Sequence, residues 1–259
     1  MTPAAKKVRL GGMALSNGVL VHGPTAWACA IRTDEGAIKI VSARKRVLAP
    51  KLQQPFLRGP IRLVESFAFL PELRRRLPEA RLPFERPGVL VGTVASAVTV
   101  HVVRRSERPG GVARELLSGA LSIAPALLAL RGGELANYHG AEHVTIGTYE
   151  HDEPRAKEHE RCGSHLIGPL LVASAAGNAL AGHAPARFRG TARVASSIGA
   201  VGTAVEVFGW MTRHPGHPLA KALARPGHEL QHRIATAEPT RPQLEVAEAA
   251  LAACLELEG

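Results

Sequence analysis

The chain predicts an α+β fold that is mostly α. A small antiparallel β-meander at the N-terminus comes first, then a bundle of four apolar helices, then an amphipathic C-terminal helix. Three observations carry this expectation. Short β-type runs crowd the first fifty residues, four long apolar segments lie between residues 89 and 210, and a periodic, well-punctuated stretch closes the chain. With 259 residues, 46% of them apolar, the chain can bury a sizeable core, which excludes general disorder. The expected division is an N-terminal β region, 1–57, and a helical domain, 58–259.

Residues 19–21, 26–31 and 37–41 read as strands. Between the last two, Asp34-Glu35-Gly36 supplies hairpin chemistry, because Gly36 can take a positive φ. Lys39 between Ile38 and Ile40 has the period of two of a half-buried strand. Residues 59–77 turn helical, with Leu63, Phe67, Leu70 and Leu73 at three-to-four spacing, and Pro71 is expected to kink or end that helix. Residues 78–87 read as a charged, proline-punctuated linker. The apolar segments follow at 89–103, 116–130, 166–181 and 194–210. Each falls short of the roughly 20 apolar residues that a bilayer crossing wants, and two carry a polar intruder, His101 and Glu206. Their small residues let helices approach closely, in a membrane or in a soluble bundle. The last helix, 243–257, puts Leu244, Ala247, Leu251 and Leu255 on one stripe that should lie against the body of the protein.

The net charge of +10 is uneven. Residues 1–130 hold 20 Lys and Arg against 8 Asp and Glu, whereas residues 131–259 hold 12 against 14. A basic first half can attract nucleic acid or an anionic membrane surface. Aromatics are only 4% of the chain, which argues against stacking on single-stranded nucleic acid. Cys29, Cys162 and Cys254 are too far apart for a disulfide framework and suit a reducing compartment. The stretch after Lys6, Lys7 and Arg9 is too short and too Gly-broken for a secretory signal. The expected location is the cytoplasmic face of a membrane or the membrane itself, with the cytoplasm as the alternative.

One stretch stands apart, Tyr138-His139-Gly140-Ala141-Glu142-His143. On a helix His139 and His143 point to the same side, so both imidazoles can reach one divalent metal, zinc above all. Glu142 is then placed to take a proton from water at that metal. This is the His-x-x-Glu-His order of the inverzincins. Gly140 inside the motif weakens a helix by roughly 1 kcal/mol relative to Ala. Glu150, His159 and Cys162 follow closely, and His159 and Cys162 form a second same-face pair if that segment is helical. His151 and His165 lack partners at ligand spacing and read as exposed histidines of a polar connection. Glu206 lies in an otherwise apolar run, where an unpaired carboxylate is costly, so it is a candidate distant ligand. Gly11-Gly12 and Gly18 read as tight turns and fit no dinucleotide fingerprint.

At these residues the chain resembles the YqhQ-like proteins, domain-of-unknown-function family 1385. Gly11 to Val19 with Gly23-Pro24 and Trp27 to Ala30 is similar to the family's opening block, and Arg58-Gly59 with Leu63 to Ser66 to its second. Tyr138 to His143 with Thr145-Ile146 and Tyr149-Glu150 is similar to its hallmark, followed by His159, Arg161, Cys162 and Gly163. Glu206, Pro226-Gly227, Leu230-Gln231, Glu238-Pro239 and Gln243 to Ala247 resemble its closing blocks. The chain departs from the family at Met13, Asn17, His22 and Val144, and its apolar segments are thinner. The resemblance implies a metal-dependent enzyme, often with several membrane passes, and names no reaction.

Two functional readings follow. In the first, a metal held by His139, His143 and a third ligand from His159, Cys162, Glu150 or Glu206 activates water for hydrolysis, with Glu142 as general base. In the second, the chain is a non-catalytic, membrane-associated scaffold in which the metal is a structural staple. An open coordination position separates the first from the second.

Overall fold

The computed structural model describes residues 7–45, 54, 56, 61, 64, 65, 67–106, 110–130 and 133–259. Four antiparallel strands, β1 (Gly11–Leu15), β2 (Gly18–His22), β3 (Ala26–Arg32) and β4 (Ile38–Arg44), form a meander in sequence order. Leu15 pairs with Gly18 across the Ser16-Asn17 turn, and Arg32 pairs with Ile38 across a loop in which Gly36 takes φ +86°. The helices whose two ends are among the described residues are α1 (Leu70–Arg76), α2 (Pro87–Arg105), α3 (Gly111–Leu130), α4 (Glu134–His151), α5 (Ile167–Gly182), α6 (Arg189–Arg213), α7 (Pro218–Leu230) and α8 (Arg241–Glu258). The fold is thus α+β and mostly α, with the meander at the N-terminus as expected.

Both faces of the sheet are covered, which is why β2 and β3 are almost continuously apolar rather than alternating. One face presents Val19, Val21, Ala28 and Ala30 to Leu135, Tyr138 and Ile146 of α4 and to Val246, Ala247, Ala250 and Cys254 of α8. The other presents Leu20, Trp27, Cys29 and Ile31 to Phe69, Leu73, Leu77, Ala80 and Leu82. The expected boundary between residues 57 and 58 lies outside the described residues; within them, the meander and the C-terminal helices share one core.

Several local expectations are corrected. Gly11 and Gly12 lie in a strand, β1, not a turn, and Gly18 opens β2. β4 is an edge strand whose Ile40 stays 48% exposed, because α8 covers only part of that face. In the stretch expected as one helix over 59–77, Gly59 and Leu63 lie outside the described residues. Pro71 sits in the first turn of α1, where a missing N–H costs nothing, instead of ending a helix. Residues 78–82 are packed rather than a free linker. The Asn17 amide donates to the Glu79 carbonyl (3.0 Å) and accepts from the Arg81 N–H (2.9 Å), seating Ala80 and Leu82 on the sheet. α8 begins at a Thr240–Gln243 capping box, and its most buried face is Val246, Ala247, Ala250 and Cys254 rather than the leucine stripe. These smaller side chains bring the helix axis close to β2 and β3, and the leucines flank the contact.

The four apolar segments become helices longer than their apolar cores. Windows of 19, 18, 20 and 28 residues, within 87–105, 113–130, 163–182 and 186–213, are long and apolar enough to cross a membrane. At 1.5 Å per residue, 19 residues span about 28 Å, close to the hydrocarbon thickness of a bilayer. α2 packs on α3, α5 on α6, and α3 on α5. Their outer faces leave Val91, Val94, Val98 and Val102 of α2, Leu116 and Leu117 of α3, Val172 and Leu180 of α5, and Val194 and Ile198 of α6 exposed.

Candidate metal centre

α4 carries the His-x-x-Glu-His segment as a regular helix, so His139 and His143 are stacked one turn apart on one side. Their ring centroids are 4.4 Å apart. Each ring is oriented by a backbone carbonyl. His139 Nδ1 lies 2.8 Å from the Ala235 oxygen and His143 Nδ1 lies 2.6 Å from the Lys157 oxygen. A carbonyl only accepts, so both Nδ1 atoms carry the proton and both Nε2 lone pairs are left for another partner. Cys162 supplies a third donor, its Sγ 3.7 Å from His139 Nε2. The donor atoms of His139, His143 and Cys162 all lie within 4.8 Å of one another.

This set fits a zinc-like ion. Zn–S of about 2.3 Å and Zn–N of about 2.0–2.1 Å at tetrahedral angles put sulfur and nitrogen about 3.6 Å apart. The observed 3.7 Å matches that edge without any rearrangement. Two neutral imidazoles and a thiolate are also a borderline-soft donor set, which favours zinc over magnesium or calcium. Burial holds the His143 imidazolium well below its usual range, keeping the ring neutral, and burial pushes the Cys162 thiol up. A cation among the three is what would draw the thiolate out.

Glu142 lies at the edge of the cluster, its Oε2 3.9 Å from His139 Nε2. It is 7% exposed and faces β1. Burial, reinforced by nearby Cys162, pushes its carboxyl up to about 7, against the opposing pull of His139. Gly12 makes room for it, because a Cβ there would fall 2.4 Å from Glu142 Oε1. Gly140 has an equally specific reason. A Cβ would fall 2.0 Å from the Ala237 carbonyl oxygen, so only glycine lets α4 meet the segment that carries the Ala235 oxygen. What reads in sequence as a helix-weakening residue is a site-building one.

The remaining expected residues fall around this cluster. Residues 159–162 form a turn, not a helix, so His159 and Cys162 do not share a helix face. Cys162 turns toward His139. The His159 ring centroid is 5.5 Å from that of His143, but its Nδ1 accepts from the Arg161 N–H and its Nε2 lies 3.3 Å from Glu150. Glu150 also pairs with Arg161. His159 and Glu150 therefore engage each other beside the three donors. Glu206, in α6, accepts from the Phe56 N–H at 3.4 Å and is not part of the donor cluster. His151 is exposed, as expected, but His165 is buried. Its Nδ1 donates to the Ala224 oxygen and its Nε2 accepts from Gln231.

Gln231 is the residue that sequence reasoning missed. Fully buried, it accepts from the His159 N–H at 2.7 Å and donates to Ser164 Oγ and His165, pinning the turn that delivers Cys162. It opens a π-helical turn, Gln231–Ala235, whose last residue presents the carbonyl to His139. Such turns are rare and gather at functional sites. The signal for Gln231 in the sequence was its place in the Leu230-Gln231 block, which resembles one of the family's closing blocks.

Residues 134–257 match a family described as Protein of unknown function (DUF1385). This segment belongs to that family. It holds all three donors, Glu142 and Gln231, so the site lies wholly within the DUF1385 region. No curated protein and no solved structure was found to match the chain.

Proposed function

We propose that this DUF1385 protein is a membrane-associated, metal-dependent hydrolase, in keeping with the YqhQ-like enzyme resemblance. One observation carries the reading. Three protein donors with freed lone pairs sit within coordination reach of one another, and a buried carboxylate of raised pKa lies beside them. Three protein ligands leave the fourth tetrahedral position to water or substrate, as catalytic zinc sites do, whereas structural sites are closed by four. When bound, a zinc-like ion supplies the Lewis acidity that polarises a carbonyl or phosphoryl oxygen and makes water acidic near neutrality. His139, His143 and Cys162 would hold it, with the rings fixed by the Ala235 and Lys157 carbonyls. Glu142 takes the proton from the attacking water at its carboxylate and returns it to the leaving group. A divalent cation nearby favours the ionised carboxylate this role needs.

The four long helices with outward-facing valines and leucines support a place in the membrane. Arg104 and Arg105 at the end of α2 and Arg189 and Arg213 at the ends of α6 suit anionic headgroups at its boundary. The protein is expected in the membrane fraction, released by detergent and not by salt alone. Purified protein is expected to hold one zinc per chain by elemental analysis, and His143→Ala to lose it. Glu142→Gln should keep the metal and lose about 100-fold or more in turnover of a chromogenic ester, amide or phosphoester substrate. A chain that purifies without metal and cannot be loaded sinks the reading.

A further inference from the structure

A cavity of about 610 Å³ lies between the end of α6, α7 and the 158–161 turn. Its lining is divided in two. Phe208 and buried Met211, one turn apart on α6, form an apolar wall. Lys221, Arg225 and His228, at i, i+4 and i+7 on α7, form a basic wall that Arg161 continues. The carboxylates at the rim are already engaged, Glu158 by Lys157 and His232 and Glu160 by Arg155. Among the described residues, neither the Lys221 ammonium nor the Arg225 guanidinium has a carboxylate within salt-bridge reach. The cavity is therefore a cationic pocket with one greasy side. Its apolar wall belongs to the last turns of a helix long enough to cross a bilayer, which puts the basic wall where headgroups lie in a spanning arrangement.

We propose that this cavity binds a single lipid with a phosphate-bearing anionic headgroup, the phosphate on Lys221 and Arg225 and the acyl chain along Phe208 and Met211. Phosphate chemistry suits this pair, since guanidinium offers a bidentate fork and lysine a point charge. The chain adds apolar burial that a free phosphate ester lacks. The proposal rests on the membrane placement above and not on the metal.

The test is calorimetric titration of the full-length, detergent-purified protein with dioctanoyl phosphatidic acid, glycerol 3-phosphate and dioctanoylglycerol. The phosphatidic acid should bind saturably. Glycerol 3-phosphate should bind about 10-fold or more weakly, and the phosphate-free diglyceride about as poorly. Lys221→Gln with Arg225→Gln should weaken the lipid about 10–100-fold. Met211→Asn, which removes apolar wall without adding charge, should weaken the lipid more than it weakens glycerol 3-phosphate. The His143→Ala protein should bind the lipid as the wild type does, so loss of the metal reading and loss of this one are separable. Equal affinity for glycerol 3-phosphate and the lipid would make the cavity a soluble phosphate-ester site and overturn the proposal. So would an undiminished affinity in the double variant, or no binding at all.

Discussion

Gly140→Ala puts two rules in opposition. Alanine is the better helix former, by about 1 kcal/mol in a helix interior. Yet its Cβ would stand 2.0 Å from the Ala237 carbonyl oxygen, where real Cβ contacts essentially never fall below 3.0 Å. The 235–239 segment must retreat from α4 by about 1 Å or more, since the atom in the way is backbone and cannot rotate aside. Three hydrogen bonds cross that gap; the Asn137 amide to the Glu238 carbonyl at 2.9 Å is exposed and water can replace it, while the other two are the Ala237 N–H to the Ala136 carbonyl at 2.9 Å and His139 Nδ1 to the Ala235 carbonyl at 2.8 Å. Lengthening both by about 1 Å breaks them, at about 1 kcal/mol each, and the forced separation adds about 1 kcal/mol of packing loss. Set against the helix gain, the net loss is about 2 kcal/mol, or about 4–8 °C in Tm for a chain of this size. Freeing His139 from its carbonyl should also lower zinc affinity about 10–100-fold. Thermal melts of metal-free and zinc-loaded protein, with a competition titration for zinc, read both effects. A variant that melts at or above the wild-type temperature and binds zinc equally well would refute the close approach as the reason for glycine.

Gly12→Ala intrudes on the Glu142 carboxylate, its side chain supplying the three atoms nearest the added Cβ. It should therefore leave zinc stoichiometry at the wild-type value while turnover falls about 100-fold, as a 1 Å misplacement of a reacting group does. Because burial holds the Cys162 thiol above its ordinary range and the Glu142 carboxyl at about 7, zinc loading at pH 7 should release ~1 proton from Cys162 and about half a proton from Glu142, and tighten as pH rises. Calorimetry in buffers of different ionisation enthalpy measures this; release near zero, or equal release from Cys162→Ser, would remove the thiolate from the ligand set. Gln231→Ala should cost about 10-fold in zinc affinity, because the Cys162 turn loses its anchor; an unchanged titration counts against that role. Glu258 accepts from the Thr25 and Ala26 N–H groups at 2.8 and 2.7 Å, joining α8 to the meander at an exposed site. Glu258→Ala should lower stability by about 1 kcal/mol with zinc affinity unaltered, and urea melts decide it.

What was legible in the sequence was local. The two histidines and Glu142 share one helix, so their spacing alone predicts a common side, and Gly36 announces its turn because no other residue takes that φ as cheaply. The strands of the meander were read from apolar runs, but β1 was not, because its two glycines look like punctuation unless one knows that the Glu142 carboxylate lies against Gly12 and the His22 ring against Gly11. The partners of the site were hidden for the same reason. The carbonyl that orients His139 is 96 positions away, and Gln231 reaches His159 over 72. Backbone carbonyls carry no residue type at all, so no motif can encode them. The assignment of Cys162 over His159 as the third donor was equally beyond spacing, since a turn, unlike a helix, fixes no common face.

The arrangement also explains why the site spans the junction between the meander and the long helices. His139, His143 and Glu142 ride on α4, which is held rigidly by the sheet core through Leu135, Tyr138 and Ile146. Cys162 arrives from the other side, one residue before the 3₁₀ turn that leads into α5. Two donors are thus tied to the sheet and one to an apolar helix long enough to span a bilayer. A shift of α5 relative to the meander that the 163–166 turn passes on would change the distance between Cys162 Sγ and the two Nε2 atoms. If α5 lies in a bilayer, the bilayer itself becomes part of what sets the ligand geometry. Zinc affinity measured in thin-chain and thick-chain lipid nanodiscs should then differ, while the His139–His143 pair stays fixed. Identical affinities across bilayer thickness would mean that Gln231 and the 159–166 segment isolate the centre from the helix that follows it.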